Sequence, residues 1–225
     1  MSHSYKTIYN WPEERQRKFF TWCYWTNAFS KEELKKVTDL MDSVDLERGT
    51  TVGTREDANA NNKVIHTQEP NEKVRVSDVK FWNYDNGQGD ADFIFYRLNS
   101  VIENINNQFY NFDINGYESF QYTVYHGHEK GKYDFHQDTI MGKNLPPDMH
   151  ECRKLSVTFL LNEPGVDFEG GEFQINTGEE KNAESVQMKK GDIIVFPSFL
   201  IHRVSPVTKG TRKSIVVWVV GPKFR

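Results

Sequence analysis

The sequence predicts a mainly β protein with N-terminal helices, on three observations. Beyond residue 117 the chain breaks into short β segments, FQYTVYH, KYDFHQD, KLSVTFLLN, GGEFQIN, DIIVFPS and SIVVWVV, each bounded by Gly, Pro, Asn or charged turns. No helical period separates these segments, which argues for an all-β sandwich or barrel. Two amphipathic stretches precede them, and aromatic residues make up 14% of the chain, a share that suits a β-rich core and an aromatic-lined cleft.

The first segment, MSHSYKTIYNWPEERQRKFF, is polar and mixed in charge. It lacks the apolar stretch of a secretory signal and the acid-poor pattern of a transit peptide, so a cytoplasmic protein is expected. The aromatic run FFTWCYW follows and is expected to pack beneath a helix over 30–42. That helix starts at Ser30 with Glu33 closing a capping box, and Leu34, Val37, Leu40 and Met41 recur at helical spacing. Residues 46–74 have no apolar period and read as a mobile loop or irregular hairpin. Such a stretch inside a compact domain suggests a lid or binding loop, as does 139–154. A second helix covers roughly 91–108, with Phe93, Phe95, Leu98, Ile102 and Ile105 forming its buried stripe.

The 225 residues suit one domain over 1–225, with a helical and loop part about 1–116 and a β core about 117–222. Lys and Arg total 28 against 32 Asp and Glu, a formal charge of -4, so no electrostatic footprint for nucleic acid or an anionic membrane is present. Mean hydropathy is -0.71, and the longest apolar runs fall far short of the ~20 residues of a membrane helix. Cys23 and Cys152, far apart in the chain, read as free thiols.

The chemistry sits in the β half. In KYDFHQD, one residue separates His136 from Asp138, so on a strand both side chains would leave the same face and could grip one ion. Alone, so short a pattern is weak. His202 follows sixty-four residues after Asp138, behind the apolar strand and proline turn of DIIVFPSFLIH. Two imidazoles and one carboxylate make a facial triad suited to Fe(II), with coordination positions left open. Ten residues further on, Arg212 opens a strand on which Arg212, Ser214, Val216 and Trp218 share a face. A buried guanidinium there needs an anion.

His-x-Asp, a second His some sixty residues later and a basic residue about ten beyond it resemble the iron and 2-oxoglutarate-dependent dioxygenases, specifically the prolyl 4-hydroxylase-like branch. DFEGGEF at 167–173, GDIIVFPS and the TKGTR turn are similar to that branch too. The resemblance spans about 117–222 and implies a double-stranded β-helix (jelly roll) core, with iron held by His136, Asp138 and His202. It implies that Arg212 pairs with the C-5 carboxylate of 2-oxoglutarate, assisted by Ser214, and that Tyr125 hydrogen-bonds the same co-substrate. It further implies a substrate pocket lined by Tyr133, Arg153 and Trp218. At Leu160 the chain departs from relatives that carry a second tyrosine.

The expected reaction is hydroxylation of a C–H bond, of a prolyl residue in a peptide or protein, using O2 and releasing succinate and CO2, with ascorbate as reductant. Hydroxylation of a free amino acid or small metabolite is the alternative within the same chemistry. A rival metal site uses the same-face pair His126 and His128, since GDIIVFPSFLIH also resembles the second cupin motif; Phe199 and Pro206 depart from that pattern. A catalytically inactive peptide-binding domain is the third reading, and the intact ligand set weighs against it. His3, His66 and His150 read as surface residues.

Overall fold

The computed structural model describes residues 20–57, 63–85, 87–139, 151–176, 178 and 183–224, with backbone alone over 52–57 and 63–68. In chain order the elements are β1 (Cys23–Trp25), α1 (Lys31–Asp42), β2 (Glu47–Arg48), β3 (Thr51–Asp57), β4 (Lys63–Glu69), β5 (Arg75–Val76), β6 (Asp78–Trp82) and α2 (Asp92–Ile105). A single π-type turn, Asn106–Tyr110, extends α2. Then come β7 (Gly116–Tyr117), β8 (Phe120–His126), β9 (Lys132–His136), β10 (Glu151–Leu160), β11 (Phe168–Gly170), β12 (Phe173–Asn176), β13 (Ala183–Val186), β14 (Ile193–Pro197), β15 (Ile201–Val204) and β16 (Val207–Pro222).

The strands form two large antiparallel sheets and a separate two-stranded β3-β4 ladder. The major sheet runs β1-β14-β10-β16-β8-β6-β2, with β7 and β11 also pairing with β16; the minor sheet runs β13-β12-β15-β9-β5. This is the mainly β, jelly-roll architecture that the sequence predicts. No helix among the described residues is long and apolar enough to cross a membrane.

Strand alternation sorts the major sheet into two faces of opposite character. On one face lie Phe120, Tyr122 and Val124 of β8, Leu155, Val157 and Phe159 of β10, Ile193 and Val195 of β14, and Ile215, Val217 and Val219 of β16. These share one core with Val37 and Met41 of α1 and Ile94, Leu98, Ile102 and Ile105 of α2. The other face carries Gln121, Thr123 and Tyr125, Ser156 and Thr158, and Arg212 and Ser214, all buried. A side-chain period of two therefore puts an apolar layer under the helices and a polar layer toward the minor sheet. The second, smaller core between the sheets contains Tyr125, Phe173, Ile175, Phe196 and Val204.

The capping box at α1 forms as predicted: Ser30 Oγ accepts the Glu33 N–H at 3.1 Å and the Glu33 carboxylate accepts the Ser30 N–H at 2.8 Å. At the other end, Asp42 accepts from the Tyr122 hydroxyl at 3.1 Å and from Lys213 Nζ at 2.6 Å, tying α1 to β8 and β16. Helix α2 buries its predicted stripe except for Phe93, which is partly buried with Lys36 Nζ 4.5 Å from its ring centre; Ile94 and Val101 join the stripe instead.

Two expectations need correcting. Of the two readings of 46–74, the hairpin holds and the mobile loop does not, and the hairpin is regular: Thr51–Asp57 and Lys63–Glu69 pair in register as a seven-residue antiparallel ladder, and β5 (Arg75–Val76) follows. The ladder is a separate two-stranded sheet, and its β-branched Thr, Val and Ile favour a strand without an apolar period. The aromatic run does not simply underlie α1, because Cys23–Trp25 join the major sheet as an edge strand on β14. Of the two candidate lids, 58–62 and 140–150 lie outside the described residues, as do His3 and His150 and the side chain of His66. Both cysteines are free.

Candidate active site

The minor sheet sets two histidines face to face. β9 and β15 pair antiparallel with His136 directly opposite His202, and the ring centroids are 4.3 Å apart. Asp138 arrives differently from the sequence expectation. β9 ends at His136, and Asp138 lies in the bend beyond it rather than on a shared strand face. There the N–H groups of Asp138 and Thr139 both donate to the Ser198 carbonyl, at 3.0 and 3.1 Å. The turn between β14 and β15 therefore places the carboxylate, where strand alternation alone would not.

His136 Nε2 is 3.5 Å from Asp138 Oδ1, His202 Nε2 is 3.5 Å from Asp138 Oδ2, and the three candidate ligand atoms all lie within 4.8 Å of one another. Each Nδ1 faces a carbonyl two residues back: His136 to Asp134 O at 2.7 Å and His202 to Leu200 O at 2.9 Å. A carbonyl only accepts, so Nδ1 carries the proton and Nε2 presents its lone pair toward Asp138. Burial pushes the His202 pKa down to about 4, against the pull of the Asp138 charge. Burial also opposes the Asp138 charge, but His202, His136 and Arg153 outweigh it and hold the carboxyl well below its usual range. Two imidazoles whose Nε2 atoms converge on an ionised carboxylate fit an Fe(II)-type divalent cation.

Arg212 is 1% exposed, the largest fully buried side chain described, and Nη1 donates to Ser214 Oγ at 2.9 Å. It sits opposite Tyr125 in the β16–β8 register, its guanidinium 5.7 Å from the Tyr125 ring centre. Among the described residues no carboxylate forms an ion pair with it. Burial lowers its pKa against the pull of Tyr125, and an anion entering the cavity would offset the desolvation of this cation. One cavity is lined by His136, Asp138 and His202 together with Arg212, Ser214 and Tyr125. The donor set and the buried cation therefore fit a dicarboxylate co-substrate held between metal and guanidinium.

Of the remaining predicted residues, two line the same cavity and Arg153 lies against one of them. Tyr133 and Trp218 line it, and the Tyr133 ring stacks on His136 at 3.5 Å with an interplanar angle of 14°. Burial pushes the Tyr133 hydroxyl up to about 12. Arg153 lies 3.9 Å over the Trp218 ring, donates through Nε to Glu118 at 2.9 Å, and reaches the Asp138 carbonyl at 3.3 Å. Leu160 packs in the smaller core beside Tyr125. His126 does not join the triad. It pairs with Asp78 at 3.4 Å, and its Nδ1 is 3.4 Å from the Thr211 hydroxyl.

Several residues at the site escaped the sequence analysis. Gln121, Thr158, Phe173, Phe196 and Val204 line the cavity, and Ser156 and Ser198 are buried against Asp138. The signal for Gln121, Ser156 and Thr158 was present: polar residues alternate with large apolar ones in FQYTVYH and KLSVTFL. Such parity marks an inner polar face once a strand is known to be buried on both sides. Nothing in the sequence marks Ser198 as the residue that receives the Asp138 backbone.

Two antiparallel sheets enclosing a two-histidine, one-carboxylate set and a buried arginine define the class: a non-haem iron, 2-oxoglutarate-type oxygenase fold. Residues 120–220 match the family model of the 2OG-Fe(II) oxygenase superfamily. A PKHD-type hydroxylase of Psychrobacter sp. (strain PRwf-1) is 37% identical over 89 residues, 39% of this chain and 32% of the relative. A PKHD-type hydroxylase of Xylella fastidiosa (strain M23) is 36% identical over 95 residues, 40% of each chain. The match thus spans a third to two-fifths of these curated relatives. Among solved structures, a Trichoplax adhaerens prolyl hydroxylase in complex with a hypoxia inducible factor peptide fragment superposes with a TM-score of 0.63 at 20% identity, covering 88% of this chain and 83% of that one. A Pseudomonas putida prolyl-4-hydroxylase also gives 0.63, at 16% identity and 88% and 92% coverage. In fold the chain is prolyl 4-hydroxylase-like.

Proposed function

We propose that the protein is an Fe(II)/2-oxoglutarate-dependent dioxygenase that hydroxylates a C–H bond of a prolyl residue in a peptide or protein. The observation that carries this reading is the buried Arg212 guanidinium, without a carboxylate partner among the described residues, lining the same cavity as His136, Asp138 and His202. Iron, 2-oxoglutarate and O2 are the cofactors of the superfamily, and together they supply the oxidising equivalents, with succinate and CO2 as by-products. Ascorbate as reductant belongs to the same reading.

The chain's own part is holding and aiming. His136, Asp138 and His202 hold the metal. Arg212 and Ser214 take the distal carboxylate of the co-substrate, and the Tyr125 hydroxyl, kept protonated by burial, donates a hydrogen bond to it. Phe173, Phe196 and Val204 exclude water from this end of the cavity. Tyr133, Trp218 and Arg153 bring one substrate C–H to the open side of the triad, an orientation effect. The similar proteins, named prolyl hydroxylases and PKHD-type hydroxylases, favour a prolyl substrate. The shared core of α1, α2 and the major sheet favours reading 1–225 as one domain.

Anaerobic titration of the Fe(II)-loaded protein with 2-oxoglutarate tests the reading. A weak visible charge-transfer band is expected, and an Arg212→Ala control needs far more ligand to produce it. Mass spectrometry of proline-containing peptides after turnover then tests the substrate: a 16 Da gain on proline supports it. Iron firmly bound with no band would overturn the co-substrate assignment.

A further inference from the structure

The triad has a third outer contact, on its carboxylate. Ser156, on the inner face of β10, is 0% exposed and donates its hydroxyl to Asp138 Oδ2 at 2.6 Å. Ser198, also 0% exposed, lies with its hydroxyl oxygen 2.9 Å from that of Ser156. A serine hydroxyl has one proton, and Ser156 has committed its own to Asp138, so Ser198 must be the donor of the second bond. The result is a directed chain, Ser198 O–H to Ser156 O–H to Asp138 Oδ2. Each donor polarises the next, strengthening the bond to the carboxylate.

We propose that Ser156 and Ser198 are positioning residues that fix Asp138 as a one-oxygen metal ligand. Ser156 occupies Oδ2 and leaves Oδ1, the oxygen facing His136, free for the cation. Without that donor the short carboxylate could rotate about its Cβ–Cγ bond, and both oxygens would compete for the metal. Rotation matters here because Asp138 lies in a bend, outside any strand ladder. Ser198 serves twice. Its carbonyl takes the Asp138 and Thr139 N–H groups and its side chain feeds Ser156, so one turn residue sets both backbone and side-chain orientation. The same turn leads into β15, which carries His202, and the Ser198 N–H bonds to the Lys154 carbonyl of β10. The pair therefore couples two of the three ligands through β10. With the carbonyls of Asp134 and Leu200 on the two Nδ1 atoms, every ligand then has an outer partner that fixes its orientation.

This inference rests on the proposed metal site, and the test separates the two. Mn(II) binding to the metal-free protein is followed by loss of the free-ion EPR signal at constant pH. The unaltered protein binds; Ser156→Ala binds about 10–100-fold more weakly, the range for losing an outer-shell partner. Ser156→Thr, which keeps the hydroxyl, restores tight binding, an outcome that a general packing role for Ser156 does not produce. Ser198→Ala, which removes only the second link, gives a smaller, several-fold loss. Unchanged affinity in Ser156→Ala overturns the positioning role alone, whereas no binding by the unaltered protein overturns the metal site itself. If Ser156→Ala does not fold, Ser198→Ala decides: a several-fold loss supports the chain of hydroxyls and unchanged binding overturns it.

Discussion

His136 and His202 are opposed residues of one antiparallel pair, β9 and β15, although they lie sixty-six positions apart in the chain. Direct opposition in a ladder brings side chains to about 5 Å without help from any loop. The imidazole pair is thus as rigid as the minor sheet, and only the carboxylate depends on a turn. His136→Ala or Asp138→Ala is expected to lose iron and activity together. Metal content after Fe(II) loading and desalting checks this, and full iron occupancy in either variant would remove the triad assignment.

The metal-free protein should lose stability in mild acid. The folded His202 pKa of about 4 lies below the ordinary value of 6.5, so between those limits the unfolded chain binds a proton that the folded chain refuses. Stability is complete above about pH 6.5 and falls as pH drops toward 4, by roughly 3 kcal/mol for this group. Asp138, depressed in the folded state, acts in the same direction at lower pH, its contribution vanishing as the carboxyl protonates. Urea titrations of the metal-free protein and a His202→Gln variant at pH 7 and pH 4.5 measure it. The stability difference between them should shrink in acid; a constant difference would contradict the buried neutral imidazole.

Arg212→Ala should abolish tight 2-oxoglutarate binding while leaving iron in place, because among the described residues the guanidinium bonds to Ser214 and faces the Tyr125 ring rather than the His or Asp ligands. A charge-assisted hydrogen bond contributes about 1.5–3 kcal/mol, so binding should weaken by at least tenfold. Arg212→Lys keeps the charge but loses the planar fork, and should fall between the two. Isothermal titration calorimetry under anaerobic conditions orders the three proteins.

Arg153→Ala and Trp218→Ala should impair peptide turnover through KM and spare co-substrate binding. The guanidinium stacks on the indole and forks onto Glu118, while Glu118 is 43% exposed at its side chain, so this is the rim of the cavity rather than its base. The exposed ion pair itself contributes about 0–1 kcal/mol to stability. Melting temperatures near that of the unaltered protein, with a raised KM, are therefore expected for Arg153→Ala. Loss of 2-oxoglutarate affinity instead would place the substrate pocket elsewhere.

Gly210→Ala should destabilise the fold strongly. Gly210 has φ +70°, and a Cβ there would lie 2.0 Å from the Asp167 carbonyl oxygen, where β11 meets β16. Left-handed strain alone costs about 1–2 kcal/mol, and the backbone clash adds to it. Thermal unfolding of the variant should show a clear drop in Tm. Because Arg212 follows two residues later, weakened 2-oxoglutarate binding should accompany it.

The local elements were legible in the chain. The capping box at Ser30 and Glu33, the alternation of FQYTVYH and the apolar strand ahead of His202 specify their elements through short-range sterics and burial. The shared face of Arg212, Ser214, Val216 and Trp218 follows from the strand period alone, and all four line the cavity. Tertiary structure decided what no local period encodes. It turned the polar 51–69 stretch into a paired hairpin, made Cys23–Trp25 an edge strand of the major sheet, and took Asp138 off the strand that carries His136. Asp138 is placed by hydrogen bonds to Ser198 and Ser156, residues sixty and eighteen positions away. Residue types and spacing name the chemical groups of a site, but their orientation depends on partners that only folding brings together, because a hydrogen bond is set by distance in space and not along the chain.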